Sequence, residues 1–529
     1  MTDSLTRPER TRPELSRPEA LDAQGATGDD VLEVHSPATG DLVGAYAVDD
    51  DDSVRAAVAR AREDAAWWGG LGFEGRKEIL DQWRGVIARR AGQLADVVHR
   101  ETGKPHSDAM LEVALTVDHL AWAAKHAPKV LGSRKVSSGP LMANQAATLE
   151  YLPLGVIGVI GPWNYPVFTP MGSIGYALAA GNAVVFKPSE LTPGVGVWLA
   201  DALREVVPQR HLLQVVVGRG ETGAALCGSA IDKLAFTGST ATGKKVMAAC
   251  AQNLTPVLIE AGGKDPLLVD EDADVAAAAD ATVWGAFSNA GQTCIGVERV
   301  YVHEKVYADF VGEVTRLAGD VRAGSGDGVK YGPMTMPSQV DVIKGQVEDA
   351  VAKGATVTFG DVADLGQHRT VQPIVLTDVP ADSTAITEET FGPTVAVTRV
   401  RDMDEAVELA NATAYGLGST VFSKARGPEL ARRLRSGMTA VNGVITFAAI
   451  PSLPFGGVGD SGFGRIHGED GLKEFTYAKA VARQRFKPPL ALTTFARTAK
   501  TDTTLATIVN ALHGGASQLP KLPKRPKGA

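Results

Sequence analysis

Cysteine is scarce in this chain, with three among 529 residues, at positions 227, 250 and 294. Three thiols cannot build a disulfide framework, and their spacing fits no zinc pattern. Long apolar runs are missing as well. No stretch of about 18 apolar residues exists to cross a bilayer, and the N-terminus carries no apolar segment of secretory type. Basic residues do not dominate: 53 Lys and Arg against 61 Asp and Glu leave a net charge of −8. No broad positive field is available for nucleic acid. These absences point to a reducing cytoplasm as the place of work.

What is present is an ordinary globular composition, 44% hydrophobic and 22% charged, with 58 glycines. At roughly 150 residues per domain, the length suits about three domains. Residues 1–30 repeat a Thr/Ser-Arg-Pro-Glu phrase starting at Thr6, Thr11 and Ser16. Little apolar surface is available there and each proline removes a backbone donor, so a disordered tail is expected. The Lys- and Pro-rich last ten residues read likewise as a solvated end. Before them Leu505, Ile508, Val509 and Leu512 stripe a short helix, for which docking on the body is favoured over a membrane surface.

Between the tails the pattern is α/β. Val54, Ala57, Val58, Ala61, Ala65 and Trp68 recur at helical spacing. Another helix is expected from near Arg76 to Glu101-Thr102-Gly103-Lys104-Pro105, where glycine suits the cap and proline stops continuation. From Leu152 onward, apolar runs at 154–160, 183–187, 212–217, 233–237 and 257–259 alternate with helical stretches. Such continuous runs fit strands buried on both faces in a parallel doubly wound sheet. A second α/β stretch runs from Pro266 to about Arg435, and a Gly-rich segment at 454–465 returns the chain toward a shared site.

Several segments carry candidate chemistry. Gly291-Gln292-Thr293-Cys294 follows a helix expected over 275–289 and opens a loop that would expose the thiol to a cleft. The competing reading is a small buried hydrophobe. Cys227 and Cys250 lie in alanine-rich helical surroundings and read as structural. Glu260-Ala261-Gly262-Gly263-Lys264 sets a carboxylate at the end of an apolar strand, where doubly wound sheets bind ligands. Desolvation there would raise its pKa and suit it to general-base work; otherwise it is a solvated strand end. Gly161-Pro162-Trp163-Asn164-Tyr165-Pro166 joins the first buried strand to a helix. An Asn164 amide fixed in that turn can donate to an oxyanion, an interaction worth about 2.7–4 kcal/mol in the transition state. Alternatively it caps the helix.

Two glycine patterns compete for cofactor phosphates. Gly218-Arg219-Gly220-Glu221-Thr222-Gly223 fits the dinucleotide expression but has no acidic partner at the usual distance. Phe236-Thr237-Gly238-Ser239-Thr240-Ala241-Thr242-Gly243 ends a strand and opens a helix expected over 244–251. Its hydroxyls and free amides can hold a pyrophosphate, and it is preferred. Lys187-Pro188-Ser189-Glu190 closes another strand. Lys187 and Glu190 can hydrogen-bond ribose hydroxyls from two sides, and the Glu190 charge favours NAD over NADP.

Over residues 35–487 these segments, in this order, resemble the aldehyde dehydrogenase superfamily, together with Glu388-Glu389-Thr390-Phe391-Gly392-Pro393 and Pro454-Phe455-Gly456-Gly457 with Ser461-Gly462. Cys294 stands 34 positions after Glu260, which is also the family's separation. The wording Leu453-Pro454-Phe455-Gly456-Gly457-Val458-Gly459 looks most like the class 3 branch. The resemblance implies that Cys294 attacks an aldehyde carbon and that Asn164 and the Cys294 backbone N–H hold the oxyanion. A thioester would then be hydrolysed by water that Glu260 activates. It implies NAD, with NADP possible, bound by Lys187 and Glu190 at the adenosine ribose and by Ser239, in the turn formed with Phe236, Gly238, Thr240 and Gly243, at a phosphate. Gly220 and Gly223 would lie near the adenosine. Trp163 would line the cofactor cleft, with Glu389 and Phe391 at the nicotinamide ribose and ring. The nicotinamide cation and helix-end amides would lower the thiol pKa. No metal is implied.

The implied fold is α/β: a Rossmann-type doubly wound cofactor domain (31–130 and 153–261), an α/β catalytic domain (262–477), a small oligomerisation arm (131–152 and 478–487) and a C-terminal extension (488–529). An exposed strand pair is a liability unless another chain covers it, so a homodimer or homotetramer is expected. One departure is Ala261, where the family usually has Leu; the smaller side chain widens the space behind Glu260. A CoA-acylating dehydrogenase would need no base at 260. A cysteine esterase would need no cofactor, and an inactive scaffold would not keep Asn164, Glu260 and Cys294 together. Tyr165, Thr169, Thr293, Ile295 and Phe447 are the pocket candidates, an apolar set that suggests aliphatic or aromatic aldehydes. A succinate-semialdehyde dehydrogenase would need a cationic anchor; Arg299 is near in sequence but reads as structural.

Overall fold

The computed structural model describes residues 30–514 except 327, 364, 488, 489 and 491. The repeat-bearing N-terminal segment and the basic C-terminal end therefore lie outside the described residues. The chain divides into two compact units, one holding the described residues to Gly132 with Tyr151–Tyr477, the other Ser133–Glu150 with the described residues from Ala478.

Two parallel sheets organise the larger unit. In the first, Val156–Ile160 pairs on one side with Ala183–Lys187 and then Leu213–Val215, and on the other with Lys233–Gly238 and then Val257–Ala261. The strand order therefore reverses between Val156–Ile160 and Lys233–Gly238, and ligands of doubly wound sheets bind outside the carboxyl ends of the strands at such a point. The short strand Gly462–Phe463 closes the far edge antiparallel, with Gly462 opposite Glu260. The second sheet takes its central strands from Asp265–Val269, Val297–His303, Thr394–Val400 and Thr420–Phe422, all parallel. Each apolar run lies in a sheet covered by helices, so its side chains are buried on both faces. Every residue of Ala183–Lys187, Asp265–Val269 and Val297–His303 is buried.

The sequence-derived strands recur with trimmed ends: 212–217 shortens to Leu213–Val215, and 257–259 lengthens to Val257–Ala261. The first expected helix spans Asp51–Gly70, begins with Asp50 accepting from the Ser53 N–H, and buries all six striped residues. Burying each larger apolar side chain of that kind stabilises by roughly 1.5–3 kcal/mol. The helix expected from Arg76 differs. It is two helices, Gly72–Arg89 and Ala91–Thr102, broken at Arg90, whose backbone leaves the helical region and whose guanidinium grips Glu205. Gly103 caps the second in the left-handed conformation, as its place in the sequence suggests.

The smaller unit is built on a three-stranded sheet, Thr476–Gln484 beside Gln145–Pro153 beside Arg134–Val136, the last two antiparallel. The helix carrying Leu505, Ile508, Val509 and Leu512 forms as Ala499–His513, but none of its residues is buried. Leu505 and Ile508 on its stripe are half-buried, while Val509 and Leu512 are exposed.

Candidate active site

Carboxyl-end geometry of the first sheet gathers the predicted residues. Glu260 sits near the end of Val257–Ala261 and is buried. The Cys294 thiol donates to its Oε1 at 3.6 Å, and the Thr237 hydroxyl donates to Oε2 at 3.3 Å. Burial pushes the Glu260 carboxyl up to about 7, against those two hydrogen bonds. Cys294 is half-buried at the loop that follows the helix Val275–Phe287. Between them Asn289, Ala290 and Gly291 are all left-handed, with φ of 53°, 58° and 69°, which reverses the chain and aims the thiol back at the first sheet. A Cβ on Gly291 would lie 2.1 Å from the Gly392 carbonyl oxygen, so only glycine fits.

In the chain alone the thiol is pushed up, first by burial and then by the charges of Glu260, Asp265 and Glu389. The nicotinamide cation, when bound, would oppose those charges.

Asn164 is buried, and its side-chain amide donates to the Gln292 carbonyl at 2.9 Å, two residues before the thiol. It does not cap the next helix, which starts at Phe168 with Val167 at its cap. Its own carbonyl accepts from Lys104 Nζ at 2.7 Å and from Asn289 Nδ2 at 3.1 Å. Lys104 is fully buried and paired with Glu112 at 3.0 Å, while the other Glu112 oxygen accepts from the Val167 and Phe168 amides. One ion pair thus clamps both ends of the Pro-Trp-Asn turn. The sequence reading treated Lys104 only as part of a helix stop and did not find Glu112. The separation of eight residues across a turn gives no periodic signal.

The dinucleotide residues lie along the same carboxyl edge. Ser239 caps the helix Thr240–Ala251, accepting from the Thr242 amide, and no acidic residue occupies its first turn. Gly220 starts the helix Gly220–Gly228, where a Cβ would meet only open space, and Gly223 sits one turn on. Lys187 ends its strand, with Glu190 3.7 Å from its ammonium and half-exposed. The helix N-terminus at Ser239, rich in hydroxyls and free amides, together with the lysine–glutamate pair fits a dinucleotide, pyrophosphate at the amides and ribose hydroxyls at the pair, whereas the Gly220 helix carries Glu221 in its first turn. Phe236 is buried beneath Gly238 and Gly243, with the ring 2.7 Å and 3.5 Å from their Cβ positions, so it supports the turn from below.

At the other wall, Trp163 meets Phe391 edge to face at 5.5 Å. Phe391 is left-handed, and its amide donates to Glu298, which also pairs with buried Lys264. Glu389 accepts from the Gly263 amide at 3.1 Å, and burial raises its carboxyl to about 8. A Cβ on Gly262 would lie 2.1 Å from a Glu389 oxygen. Gly262→Ala is therefore expected to displace Glu389 and raise the cofactor KM severalfold, with a smaller change in aldehyde KM, in steady-state assays varying each substrate.

A cavity opens beside Cys294. Tyr165, Thr169, Thr293 and Ile295 line it as expected, joined by Phe168, Ile445, Ala448 and Phe455. Phe447 does not; it is buried in the core, its ring against Gly418. Arg299 is structural, its guanidinium spent on the Lys264, Leu409 and Ala410 carbonyls. Cys227 and Cys250 are buried beside one another, away from the cavity. Among the described residues no helix is long and apolar enough to cross a membrane, and no group of three or more His, Cys, Asp or Glu could hold a metal ion.

Comparison with known proteins agrees with this arrangement. Residues 24–481 match the sequence profile described as "Aldehyde dehydrogenase family". A Methylomonas sp. protein named 4,4'-diapolycopene aldehyde oxidase is 36% identical over 458 residues, 86% of each chain. A Mycolicibacterium smegmatis protein provisionally named succinate-semialdehyde dehydrogenase, NADP(+) type, is 36% identical over 451 residues, 83% of this chain and 87% of its own. The crystal structure of a NAD-dependent aldehyde dehydrogenase from Sinorhizobium meliloti superposes with a TM-score of 0.83 at 31% identity, covering 89% of this chain and 94% of that one.

Proposed function

From its membership of the aldehyde dehydrogenase family, to which this chain belongs, we propose that it oxidises an uncharged apolar aldehyde to the carboxylic acid, with NAD preferred over NADP. The observation that carries the reading is a thiol 3.6 Å from a buried carboxyl at the carboxyl edge of a doubly wound sheet.

Cys294 forms the covalent bond to the aldehyde carbon, and its proton passes through Glu260, the group it already touches, to solvent, which leaves Glu260 ionised again. Asn164 and the Cys294 backbone N–H hold the resulting oxyanion; Lys104 and Asn289 keep the Asn164 backbone in register. The dinucleotide supplies the hydride acceptor when bound. Glu260, its pKa raised into the range of a general base, then takes a proton from the water that cleaves the thioester. Lys187 and Glu190 hold the adenosine ribose, Ser239 a phosphate, and Glu389 with Phe391 the nicotinamide end. The Glu190 carboxylate opposes a ribose phosphate, which favours NAD.

A succinate-semialdehyde substrate is the second reading, suggested by the name of the mycobacterial relative. The cavity speaks against it. Lys104, the cation on its wall, is neutralised by Glu112, and Asp108 adds a further carboxyl. The retained base at 260 favours water over CoA as the acyl acceptor. Further parts of the reading are cytoplasmic location, the class 3 affinity of the Leu453–Gly459 wording, and the domain division given above. An arm of strands 131–152 and 478–487 joining subunits is supported by its exposed Val136, Leu141 and Val481. A panel of aldehydes run with NAD and with NADP decides: kcat/KM is expected to be highest for apolar aldehydes with NAD. Succinate semialdehyde leading the panel would overturn the choice of substrate, and acyl-CoA exceeding free acid would overturn the choice of acceptor.

A further inference from the structure

The enclosed space beside Cys294 is small. Its volume is about 130 Å3, close to the roughly 150 Å3 apolar cavity that holds one benzene. An aldehyde group with about five more carbons fills such a space. Part of its apolar lining is nevertheless open to solvent. Leu111, on the helix His106–Leu131, and Trp284, on the helix Val275–Phe287, belong to the same lining while 51% and 48% exposed. Leu115 stands four residues after Leu111 on the same helix face and is half-buried, linking rim to interior.

Single exposed apolar side chains are common on soluble proteins and need no explanation. Two of them on separate helices, both exposed and both lining the reactive cavity with half-buried Leu115, mark the side on which an apolar chain can leave it. The polar groups of the lining offer no attraction to a charged tail. Lys104 is paired with Glu112, and burial holds the Asp108 carboxyl above the usual carboxylate range.

Resting on the reading that this cavity is where the aldehyde is oxidised, we propose that the substrate carries an uncharged apolar chain longer than about six carbons, the length that fills the enclosure. The distal part of that chain leaves the cavity between Leu111 and Trp284. These two residues set chain-length preference and do not touch the reacting atoms.

The test is a series of n-alkanals from propanal to dodecanal with the full-length protein and NAD. Each methylene placed against these residues is expected to raise kcat/KM about two- to fourfold, continuing past hexanal. Trp284→Ser and Leu111→Asn are each expected to lower the decanal-to-propanal ratio of kcat/KM at least fivefold, mainly through KM. A series that levels off at hexanal, or variants that leave the ratio within twofold of wild type, would overturn the proposal while the oxidation of short aldehydes upheld the function beneath it. Absence of turnover with every aldehyde, short or long, would overturn both.

Discussion

Cys294→Ala is expected to reduce aldehyde-dependent NADH formation below about 1% of wild type, because among the described residues no other thiol touches Glu260 or the cavity and the hydroxyls there are far weaker nucleophiles. The described residues hold two further cysteines, both buried and away from the cavity, so neither can substitute. The fold should survive. The substitution removes one half-buried sulfur, and such changes cost on the order of 1 kcal/mol. The dinucleotide residues stand on other elements: Lys187 at the end of its strand, Ser239 and Gly220 at helix starts. NAD binding, followed by protein fluorescence quenching, is therefore expected to persist with its Kd within about threefold of wild type. Turnover well above 1%, or loss of NAD binding together with activity, would remove Cys294 from its assigned role.

Glu260→Gln should behave differently. General-base catalysis contributes typically 10²–10⁴-fold, so steady-state turnover is expected to fall by about that range. The thiol remains and can lose its proton to solvent directly, so acylation is expected to slow less than hydrolysis, and a single-turnover burst of NADH followed by a slower steady state is the expected trace. The pH profile carries a second signature. Burial raises the Glu260 carboxyl to about 7, and the carboxylate is the active form. Turnover by the wild type therefore rises with pH through about 7, with the group roughly a tenth ionised one unit below and nine-tenths one unit above. Glutamine cannot titrate, so that limb should flatten in the variant. A variant with neither burst nor altered profile would assign hydrolysis to another group.

The doubly wound pattern was legible because strands buried on both faces must be continuously apolar. Ala183–Lys187 matched residue for residue. Strand ends were less so, since a backbone hydrogen bond, not side-chain polarity, decides where Leu213–Val215 stops. The break at Arg90 had no proline or glycine at the residue itself; it coincides with an ion pair to Glu205, 115 positions away. The site divides the same way. Cys294, Glu260 and Asn164 sit in short segments whose glycines and prolines mark unusual backbone. The clamp of Lys104 and Glu112 was hidden, because its meaning lies in reaching a carbonyl 60 residues distant. The carboxylates that raise the Cys294 thiol in the chain alone were hidden for a related reason: Asp265 and Glu389 approach it only in three dimensions.

The antiparallel pairing of Gly462 with Glu260 bears on synthesis of the protein. A nascent chain leaving the ribosome carries thiol, amide and base long before residue 462 emerges. Until then the strand holding the base keeps a row of bare peptide groups open to any neighbour. Premature stop codons upstream of that point would thus yield polypeptides with every reactive group present and a sticky margin, suited to clearance by quality control rather than to chemistry.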